Sequence, residues 1–314
     1  RNKMEFTFSK NRWILDDEPD KVKSDFALGM HIPKRWDKIL DINTCYLMPE
    51  VGSKIINFVR DLAKKSKLKP YDQRSHIGFL RYLALRYGEN TKELMVNIVT
   101  SYEDLDTLVP FVQSLVDEFP EVTSVVNNIN TRKADVSFGE REILLFGKPI
   151  LNEKLKELNF QISANSFFQT NSFMAEKLYD VILDSANLNG DEIVYDLYCG
   201  AGSISLFLAK KAKFVYGFDI IVSSIENAEQ NAVINNIRNI DFKVANLDSF
   251  FYTNKSNKYP NADVVIVDPP RAGMHKKMTE YLPKIGAKKI IYVSCNPSTQ
   301  ARDSQILKSN NYKL

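Results

Sequence analysis

The sequence predicts an α/β protein with a mostly parallel sheet, preceded by a smaller domain of α+β character. Its 314 residues suffice for two domains of about 100–200 residues each. From about residue 160 onward, Val- and Ile-rich segments alternate regularly with helical segments, which indicates parallel strands covered by helices on both faces. Before that point the alternation is absent. We therefore expect an α+β domain over residues 1–160 and an α/β domain over residues 161–314.

The first domain is predicted from four strand-like segments and one amphipathic segment. Strands are expected over residues 4–8, 94–99, 122–128 and 143–146, where alternating or β-branched residues predominate. Over residues 103–118 the apolar side chains, among them Leu105, Leu108, Val112 and Leu115, recur at helical spacing. This segment is therefore predicted as a helix.

The second domain is predicted as alternating strands and helices. Its predicted strands cover residues 192–197, 213–219, 241–245, 262–268 and 288–294. Its predicted helices cover residues 171–186, 203–211, 223–236, 276–285 and 299–309. In an open sheet of this kind, ligands bind outside the carboxyl ends of the strands. Functional residues are therefore expected at the segments that follow the strands.

Composition places the chain among ordinary globular proteins, with 44% hydrophobic and 26% charged residues. Its apolar runs are far shorter than the ~18 residues that a membrane span needs, and no signal segment opens the chain. Three cysteines in a chain of this length favour a reducing compartment without a disulfide framework. We expect a cytoplasmic protein with no membrane partner, and no obligate protein partner is evident.

Positive charge is concentrated in the first third of the chain. Residues 1–100 contain 19 Lys and Arg against 13 Asp and Glu, whereas the net charge of the whole chain is only +3. The densest basic stretch covers residues 60–92 and includes Tyr71, Phe79, Tyr82 and Tyr87. Clustered charge with interleaved aromatic rings suits contact with an RNA backbone and its bases. A solvated surface of helix and loop explains the same charges equally well, so both interpretations stay open.

A glycine turn follows the first strand of the second domain, in the segment Asp196-Leu-Tyr-Cys-Gly-Ala-Gly-Ser203. Gly200 and Gly202 allow the backbone to approach a ligand closely and to turn tightly into a helix. Asp219 ends the next predicted strand, where an acidic residue hydrogen-bonds ribose hydroxyls. The turn lacks the spacing of a dinucleotide-binding motif, so S-adenosylmethionine is the better fit. A purely structural turn is the alternative.

Two later motifs place a carboxylate and a thiol at the ends of the next strands. Asp268-Pro-Pro-Arg271 follows a strongly apolar strand, and its prolines end the strand ladder. Cys295, in Ser294-Cys-Asn-Pro297, follows the last predicted strand. A thiolate can add to C6 of a pyrimidine, which makes C5 electron-rich enough to accept a methyl group. Taken alone, Cys295 is better explained as an inert buried thiol, the commoner fate of a lone cysteine, and only its pairing with Asp268 and the glycine turn favours catalysis.

An alternative reaction is methyl transfer to an amino group. Asp-Pro-Pro followed by an aromatic residue is typical of the amino-group methyltransferases, in which the ring stacks on a flipped base. Here the fourth residue is Arg271, which cannot stack in the same way. Together with Cys295, it makes this alternative the weaker one.

The motifs together resemble the bacterial RNA uracil-C5 methyltransferases, the family of the 23S rRNA and tRNA 5-methyluridine enzymes. The resemblance covers most of the chain, in residues 1–8, 166–171, 196–203, 268–273 and 294–297. It implies a class I methyltransferase, Rossmann-like α/β fold with S-adenosylmethionine as cofactor. It also implies transfer of the methyl group to C5 of a uridine in RNA through a covalent cysteine–C6 adduct.

The resemblance implies a role for individual residues. Cys295 corresponds to the nucleophile, and Asp268 lies close to both the cofactor and the target base. Arg271 is a candidate for stabilising negative charge on a uracil carbonyl, on the basis of its position. Contacts with the cofactor are implied at Gln169, Tyr198, Asp219, Asp268 and, as a weaker match, Asn246.

Other features of the family pattern are expected outside this chain. The glutamate that removes the C5 proton is expected beyond residue 314, so the catalytic domain is expected to be C-terminally incomplete. Cys45 matches the fourth cysteine of an iron–sulfur cluster found in the rRNA-specific branch. A lone cysteine cannot hold such a cluster, so no metal is expected here and a 4Fe–4S cluster only in a longer chain. This remnant favours rRNA over tRNA as the substrate, and an RNA- or cofactor-binding fragment without turnover is the remaining alternative.

Overall fold

The computed structural model describes residues 1–19, 25–250 and 258–314. The chain divides into two compact units and passes between them several times over residues 154–173. The N-terminal unit comprises Arg1–Lys154, Ser163–Asn165 and Thr170–Ser172. The C-terminal unit comprises Leu155–Ile162, Ser166–Gln169 and Phe173–Leu314.

The N-terminal unit is built on a seven-stranded sheet with the order β3-β2-β1-β4-β5-β6-β7. The strands are Lys3–Ser9 (β1), Ala27–Ile32 (β2), Arg35–Asp41 (β3), Leu80–Tyr87 (β4), Leu94–Thr100 (β5), Val122–Ile129 (β6) and Arg141–Gly147 (β7). Neighbouring strands are antiparallel except β5 and β6, which are parallel. A parallel pair needs a crossover connection, and helix α2 (Leu105–Glu118) lies between these two strands in the chain.

Two helices supply the apolar face that covers this sheet. Helix α1 (Glu50–Lys65) contributes Ile55, Ile56 and Val59 to the same buried cluster as Phe6 and Phe8 of β1. Helix α2 contributes Leu108, Phe111, Val112 and Leu115, and it begins at Asp104, whose carboxylate accepts the backbone N–H of Thr107 at 3.1 Å. Burial of these side chains stabilises the unit by about 1.5–3 kcal/mol each.

The basic stretch over residues 60–92 contains three buried arginines, whereas its lysines and Arg74 are exposed. Arg60 ion-pairs with Asp41 at 2.8 Å, and Arg81 donates to the backbone carbonyl oxygens of Asn130 and Arg132. Arg60, Arg81 and Arg86 are all at most 5% exposed. Their guanidinium groups therefore bind partners inside the unit and are not available to an external phosphate. Tyr71, Phe79 and Tyr82 are also buried. The prediction that these three rings offer stacking surfaces is therefore wrong.

The C-terminal unit contains a five-stranded, fully parallel sheet flanked by helices. Its strands are Ile193–Leu197 (β10), Phe214–Asp219 (β11), Ile240–Val244 (β12), Val264–Val267 (β13) and Lys289–Tyr292 (β14). Its helices are Ser172–Ala186 (α3), Ser203–Ala209 (α4), Val222–Ile234 (α5), Leu247–Phe250 (α6), Lys276–Tyr281 (α7) and Pro297–Ser309 (α8), with a 3₁₀ turn over Leu282–Ile285. Two further strands, Ile150–Leu155 (β8) and Leu158–Ser163 (β9), precede them in the chain and pair with each other as a separate two-stranded sheet.

The strand order β12-β11-β10-β13-β14 reverses direction beside β10. From β10 the chain proceeds to β11 on one side, and β13 pairs with β10 on the other. Such a switch point opens a crevice at the carboxyl ends of the strands, where ligands of α/β proteins bind. In the register of the sheet, Leu197 is opposite both Phe218 and Val267. The carboxyl ends of β10, β11 and β13 are therefore aligned, and the residues that follow them lie along the same edge.

The predicted second domain agrees closely with the structure. All five of its predicted strands and all five of its predicted helices are present, with ends that shift by a few residues, and a short helix, α6, is added. In the first domain the four predicted strands and the helix are also present, but β2, β3, β4, β8, β9 and α1 were not predicted. Among the described residues, no helix is long and apolar enough to cross a membrane.

Candidate cofactor and catalytic site

The turn after β10 has an unusual backbone conformation. Tyr198, Gly200 and Gly202 all have positive φ angles, of 67°, 53° and 80°. A Cβ atom at Gly202 would lie 2.8 Å from the ring of Phe242, so glycine is required there by packing. A Cβ atom at Gly200 would have no heavy atom within 4 Å. The backbone of Gly200 therefore borders open space at the carboxyl end of β10.

Asp219, at the end of β11, is linked to this turn. One oxygen of its carboxylate accepts the backbone N–H of Gly200 at 3.0 Å, and the other accepts the N–H of Ile221 at 2.9 Å. The backbone N–H groups of Tyr198 and Cys199 donate to the carbonyl oxygen of Phe218. The turn and the end of β11 are therefore fixed against each other, with the half-buried Asp219 carboxylate between them.

A fully buried carboxyl group, Asp196, lies within β10 next to the turn. Its Oδ2 accepts a hydrogen bond from the hydroxyl of Ser205 in α4, and its Oδ1 has no partner among the described residues. Burial, reinforced by the charges of Asp268 and Asp219, raises the pKa of Asp196 to about 7. The sequence motif includes this residue, but the alternation of the strand gives no sign that its carboxyl group is so fully enclosed.

Asp268 follows β13 and faces Gln169. The Nε2 of Gln169 donates to Oδ2 of Asp268 at 3.4 Å, which brings together two of the predicted site residues. Burial raises the pKa of Asp268 to about 6. The backbone N–H of Asp268 donates to the carbonyl oxygen of Leu197 at 3.4 Å, so the Asp268 turn begins beside the end of β10.

Cys295 lies three residues beyond β14, just before helix α8. The N-cap of α8 is Asn296, whose side-chain oxygen accepts the N–H of Ser298 at 3.1 Å, and Pro297 occupies the first turn. Of the three cysteines, Cys295 alone is exposed, and all three are free. Cys199 is buried, and burial raises the pKa of its thiol. The thiol accessible to a substrate is therefore that of Cys295.

The segments that carry Asp268 and Cys295 are tied together through Arg271. The carbonyl oxygen of Arg271 accepts hydrogen bonds from Nδ2 of Asn296 at 3.1 Å and from the hydroxyl of Thr299 at 3.4 Å. The side chain of Arg271 is exposed. The structure thus brings the Asp268-Pro-Pro-Arg271 turn directly against the residue that follows Cys295.

A buried carboxylate in α8, Asp303, completes this connection. It is 1% exposed, and its Oδ2 accepts the backbone N–H of Met274 at 2.9 Å and the hydroxyl of Tyr292 at 2.7 Å. The guanidinium of Arg302 contacts the other oxygen at 2.8 Å. Sequence reasoning missed this group, although its position eight residues after Cys295, on the following helix, is a usable signal.

Asn246 lies at the edge of the sheet, beyond β12 and two strands from β10. It is exposed, and its carbonyl oxygen accepts the N–H groups of Ser249 and Phe250 at the start of the short helix α6. The preceding residue, Ala245, donates its N–H to the carbonyl oxygen of Asp219 at 2.7 Å. Asn246 therefore follows a residue that is hydrogen-bonded to Asp219, at the carboxyl end of the edge strand β12.

Three consecutive apolar side chains directly after Asp219 are exposed. Ile220, Ile221 and Val222 are 53–60% exposed at the carboxyl end of β11. Exposed apolar residues in a row at a ligand-binding edge offer a surface for a flat, apolar group. The sequence contains the signal, since an apolar run continues past the end of the strand, but the prediction did not use it.

Cys45 lies in the N-terminal unit and is 7% exposed. It belongs to the apolar cluster beneath the sheet, and its backbone N–H donates to the hydroxyl of Ser53 at 2.9 Å. Across the described ranges, no group of three or more His, Cys, Asp or Glu residues could hold a metal ion. The buried environment of Cys45 is that of a small packing residue.

The chain is similar to known RNA methyltransferases. A profile described as tRNA (uracil-5-)-methyltransferase matches residues 136–312. A Chlorobaculum tepidum protein named as an uncharacterized RNA methyltransferase is 41% identical, over 100% of this chain and 66% of its own length. A Porphyromonas gingivalis protein of the same description is 39% identical, over 98% and 68%.

A solved structure matches at the level of the fold. The crystal structure of Pyrococcus abyssi tRNA (uracil-54, C5)-methyltransferase in complex with S-adenosyl-L-homocysteine has a TM-score of 0.75 and 32% identity, covering 98% of this chain and 69% of that chain. The chain spans about two thirds of the length of these relatives. The predicted class I methyltransferase fold and the predicted family are both confirmed. The chain belongs to the tRNA (uracil-5-)-methyltransferase family.

Proposed function

We propose that this chain is the cofactor-binding and catalytic part of an enzyme that methylates C5 of a uridine in RNA, with S-adenosylmethionine as methyl donor. One observation carries the proposal: the only exposed cysteine lies next to a residue that is hydrogen-bonded to the Asp268-Pro-Pro-Arg271 turn, at the carboxyl edge of the parallel sheet. A nucleophile, a carboxyl group and a glycine turn thereby share one edge.

The residues at this edge fit the proposed cofactor. Gly200 leaves open space where a side chain would otherwise stand, and the half-buried Asp219 carboxylate beside it retains lone pairs for ribose hydroxyls. We assign Ile220 and Ile221 to the adenine ring, since both are apolar and exposed. Tyr198, Gln169 and Asp268 are proposed to line the methionine end, with Asn246 at the adenine side. When bound, the cofactor supplies a methyl group on a sulfonium.

Cys295 is proposed to act as a covalent catalyst on a uridine flipped from its stack. Its thiolate adds to C6, which forms an S–C6 bond and moves the electron pair of the C5–C6 double bond onto C5. Once C5 carries the methyl group, a general base accepts the C5 proton. The double bond then re-forms and Cys295 leaves.

Asp268 and Arg271 are proposed to bind the uracil ring. The pKa of about 6 keeps part of the Asp268 carboxyl protonated near neutral pH, so it can donate as well as accept a hydrogen bond. Addition of the thiolate at C6 places negative charge on C5 and, by conjugation, on the carbonyl oxygen O4 of uracil. The backbone of Arg271 is held by the hydrogen bond from Asn296 to its carbonyl oxygen, and its exposed guanidinium is available to stabilise that charge.

The substrate RNA is proposed to be ribosomal RNA, and tRNA is the second candidate. Cys45 matches a cysteine of the rRNA-specific branch of the family, which supports the first. The Pyrococcus abyssi structure is that of a tRNA enzyme and resembles this chain over nearly its whole length, which supports the second. The N-terminal unit is proposed to contact the RNA.

Methyl transfer with a tritiated cofactor tests the proposal and separates the two substrates. A 23S rRNA fragment and a tRNA transcript, each with uridine at the site to be modified, are incubated with the chain and the label in RNA is counted. The proposal expects label in one RNA and loss of that label in Cys295→Ala. Label that persists in Cys295→Ala would remove the covalent mechanism.

A binding fragment without turnover predicts a different pattern. In that case calorimetry shows cofactor binding and a gel shows RNA binding, yet neither RNA gains label over the reaction time. This outcome would favour the alternative of a cofactor- and RNA-binding fragment over the enzyme.

A further inference from the structure

The exposed positive charge of the N-terminal unit is concentrated at the C-terminal end of helix α1. Lys64, Lys65, Lys67 and Lys69 are all exposed, within a span of six residues. They belong to the same basic stretch as the buried arginines, so burial separates the structural charges from those that face solvent. Among the described residues, none of the four lysines has an acidic ion-pair partner.

Most other basic side chains of this unit are neutralised by an acid. The ion-paired ones are Lys3, Lys10, Arg12, Arg35, Lys54, Arg60, Arg74, Lys92, Arg132, Arg141 and Lys148. A paired cation attracts a phosphate less strongly, because the neighbouring carboxylate repels it. Unneutralised charge is therefore densest at the end of α1.

The helix itself does not use these ammonium groups as caps. The last carbonyl oxygens of α1 accept backbone donors: Leu62 from Ser66 at 2.8 Å, Ala63 from Leu68 at 3.0 Å, and Lys64 from Lys67 at 3.1 Å. Lysines near a helix C-terminus often bond to such carbonyls. These carbonyls are already satisfied by backbone donors. The ammonium of Lys64 lies 5.5 Å from the centroid of the Phe26 ring, but no carboxylate among the described residues neutralises any of the four lysines, so their charge is available to an external anion.

We propose that Lys64, Lys65, Lys67 and Lys69 form a phosphate-binding surface for the backbone of the substrate RNA. We call it the α1 lysine surface. This inference rests on the proposed function, since it names where that RNA is held. Lysines bind phosphates as point charges and release condensed counterions, so their contribution is independent of base sequence and strongly dependent on salt.

The salt dependence of RNA binding tests the surface. A stem–loop RNA with a uridine in its loop is titrated with the full chain, without cofactor, between about 0.05 and 0.3 M salt. In the test variant, Lys64, Lys65, Lys67 and Lys69 are all changed to Gln. In the matched control, Lys54, Lys92, Arg132 and Lys148 are changed to Gln, which removes the same charge from ion-paired, exposed positions of the same unit.

The test variant is expected to lose about 3 from the slope of log affinity against log salt, at about 0.7–0.9 per lost phosphate contact. Its affinity near 0.1 M salt then falls by about 10³-fold, while the control falls by far less. Equal slopes for the test and control variants, or no RNA binding by the wild type, would overturn the α1 lysine surface. Circular dichroism and the melting temperature establish that both variants are folded.

The methylation assay distinguishes this proposal from the proposed function. If the wild type binds RNA with the lysine-dependent slope but transfers no methyl group, the surface stands and the enzymatic proposal fails. If the wild type transfers methyl groups and the test variant keeps its slope, the enzymatic proposal stands and the surface fails.

Discussion

The carboxylate of Asp303 in helix α8 accepts the backbone N–H of Met274 at 2.9 Å. This hydrogen bond joins the helix that starts just after Cys295 to the segment that starts at Asp268. The hydroxyl of Tyr292, at the end of β14, donates to the same oxygen at 2.7 Å. One buried carboxylate thus holds together the two segments that carry Cys295, the proposed nucleophile, and Asp268, the predicted substrate-binding carboxyl group.

Replacement of Asp303 by Ala should loosen these two segments. Loss of the carboxylate leaves the N–H of Met274 and the hydroxyl of Tyr292 without their acceptor, which costs about 2–4 kcal/mol of the free energy of unfolding. Hydrogen exchange over residues 268–275 should accelerate, and methyl transfer should fall while cofactor affinity holds. Asp303→Asn retains one acceptor oxygen, so its stability and its exchange rate should lie between those of the wild type and Asp303→Ala.

Asp263 provides the control at the opposite end of β13. Its carboxylate accepts the N–H of Ile193 at 3.0 Å and pairs with Lys288 at 3.0 Å, far along the strand from Asp268. Asp263→Ala should lower stability without accelerating exchange over residues 268–275. Equal acceleration in both variants would show that exchange there reports only overall stability.

Gly200→Ala tests whether the open space beside the turn belongs to the cofactor. The new methyl group meets no protein atom within 4 Å, but the φ of +53° costs about 1 kcal/mol in stability. Affinity for S-adenosylhomocysteine should fall at least tenfold, measured by calorimetry. Gly286→Ala is the matched control, with φ of +76° and equally open surroundings, and should leave the affinity unchanged.

Asp219→Ala should weaken cofactor binding about 10- to 150-fold, since a charge-assisted hydrogen bond contributes about 1.5–3 kcal/mol. Part of the effect will come from the turn, because the same carboxylate accepts the N–H of Gly200. Calorimetry on the variant provides the measurement. Asp241→Ala, which removes an ion-paired carboxylate from the adjacent strand, should bind the cofactor as the wild type does.

The C-terminal unit could be predicted from sequence because its signals are local. Short β-branched apolar runs such as residues 264–267, bounded by turn residues, favour buried strands. Gly200, Gly202 and the two prolines after Asp268 fix turns within a few residues. The parallel order of the sheet then brings Asp219 and Asp268 to one edge. Cys295 follows by the same rule, although its strand ends earlier, at Tyr292.

The N-terminal unit was harder to predict, and so were the hydrogen bonds of Asp303 that hold the site segments together, because both depend on residues far apart in the sequence. β4 carries Arg81 and Arg86, which resemble surface residues in sequence, yet carbonyl acceptors from distant segments bury them. The acceptors of Arg81, for example, lie about fifty residues away. The role of Asp303 likewise requires knowing that Met274 and Tyr292 are adjacent in space. Local patterns carry neither fact.

The buried carboxyl of Asp196 should give a distinct pH dependence of stability. Burial raises its pKa from 3.8 to about 7, so the folded protein holds this proton at pH values where the unfolded chain has released it. Its contribution to the free energy of unfolding is therefore complete below about pH 4 and is lost as pH rises toward about 7. The free energy of unfolding, measured with urea, should therefore decline with rising pH over this range in the wild type relative to Asp196→Asn, by up to about 1.4 kcal/mol per pH unit. Parallel curves for the two proteins would mean that Asp196 ionises normally.

The covalent role of Cys295 is the central claim, and a trapped adduct tests it most directly. In RNA that contains 5-fluorouridine, C5 has no proton to lose after methyl transfer, so the S–C6 bond should persist. The chain, S-adenosylmethionine and this RNA are incubated and separated on a denaturing gel, with Cys199→Ala and Cys295→Ala in parallel. We expect a heat-stable, slower band for the wild type and Cys199→Ala, and none for Cys295→Ala. A band of equal intensity in Cys295→Ala would contradict the account.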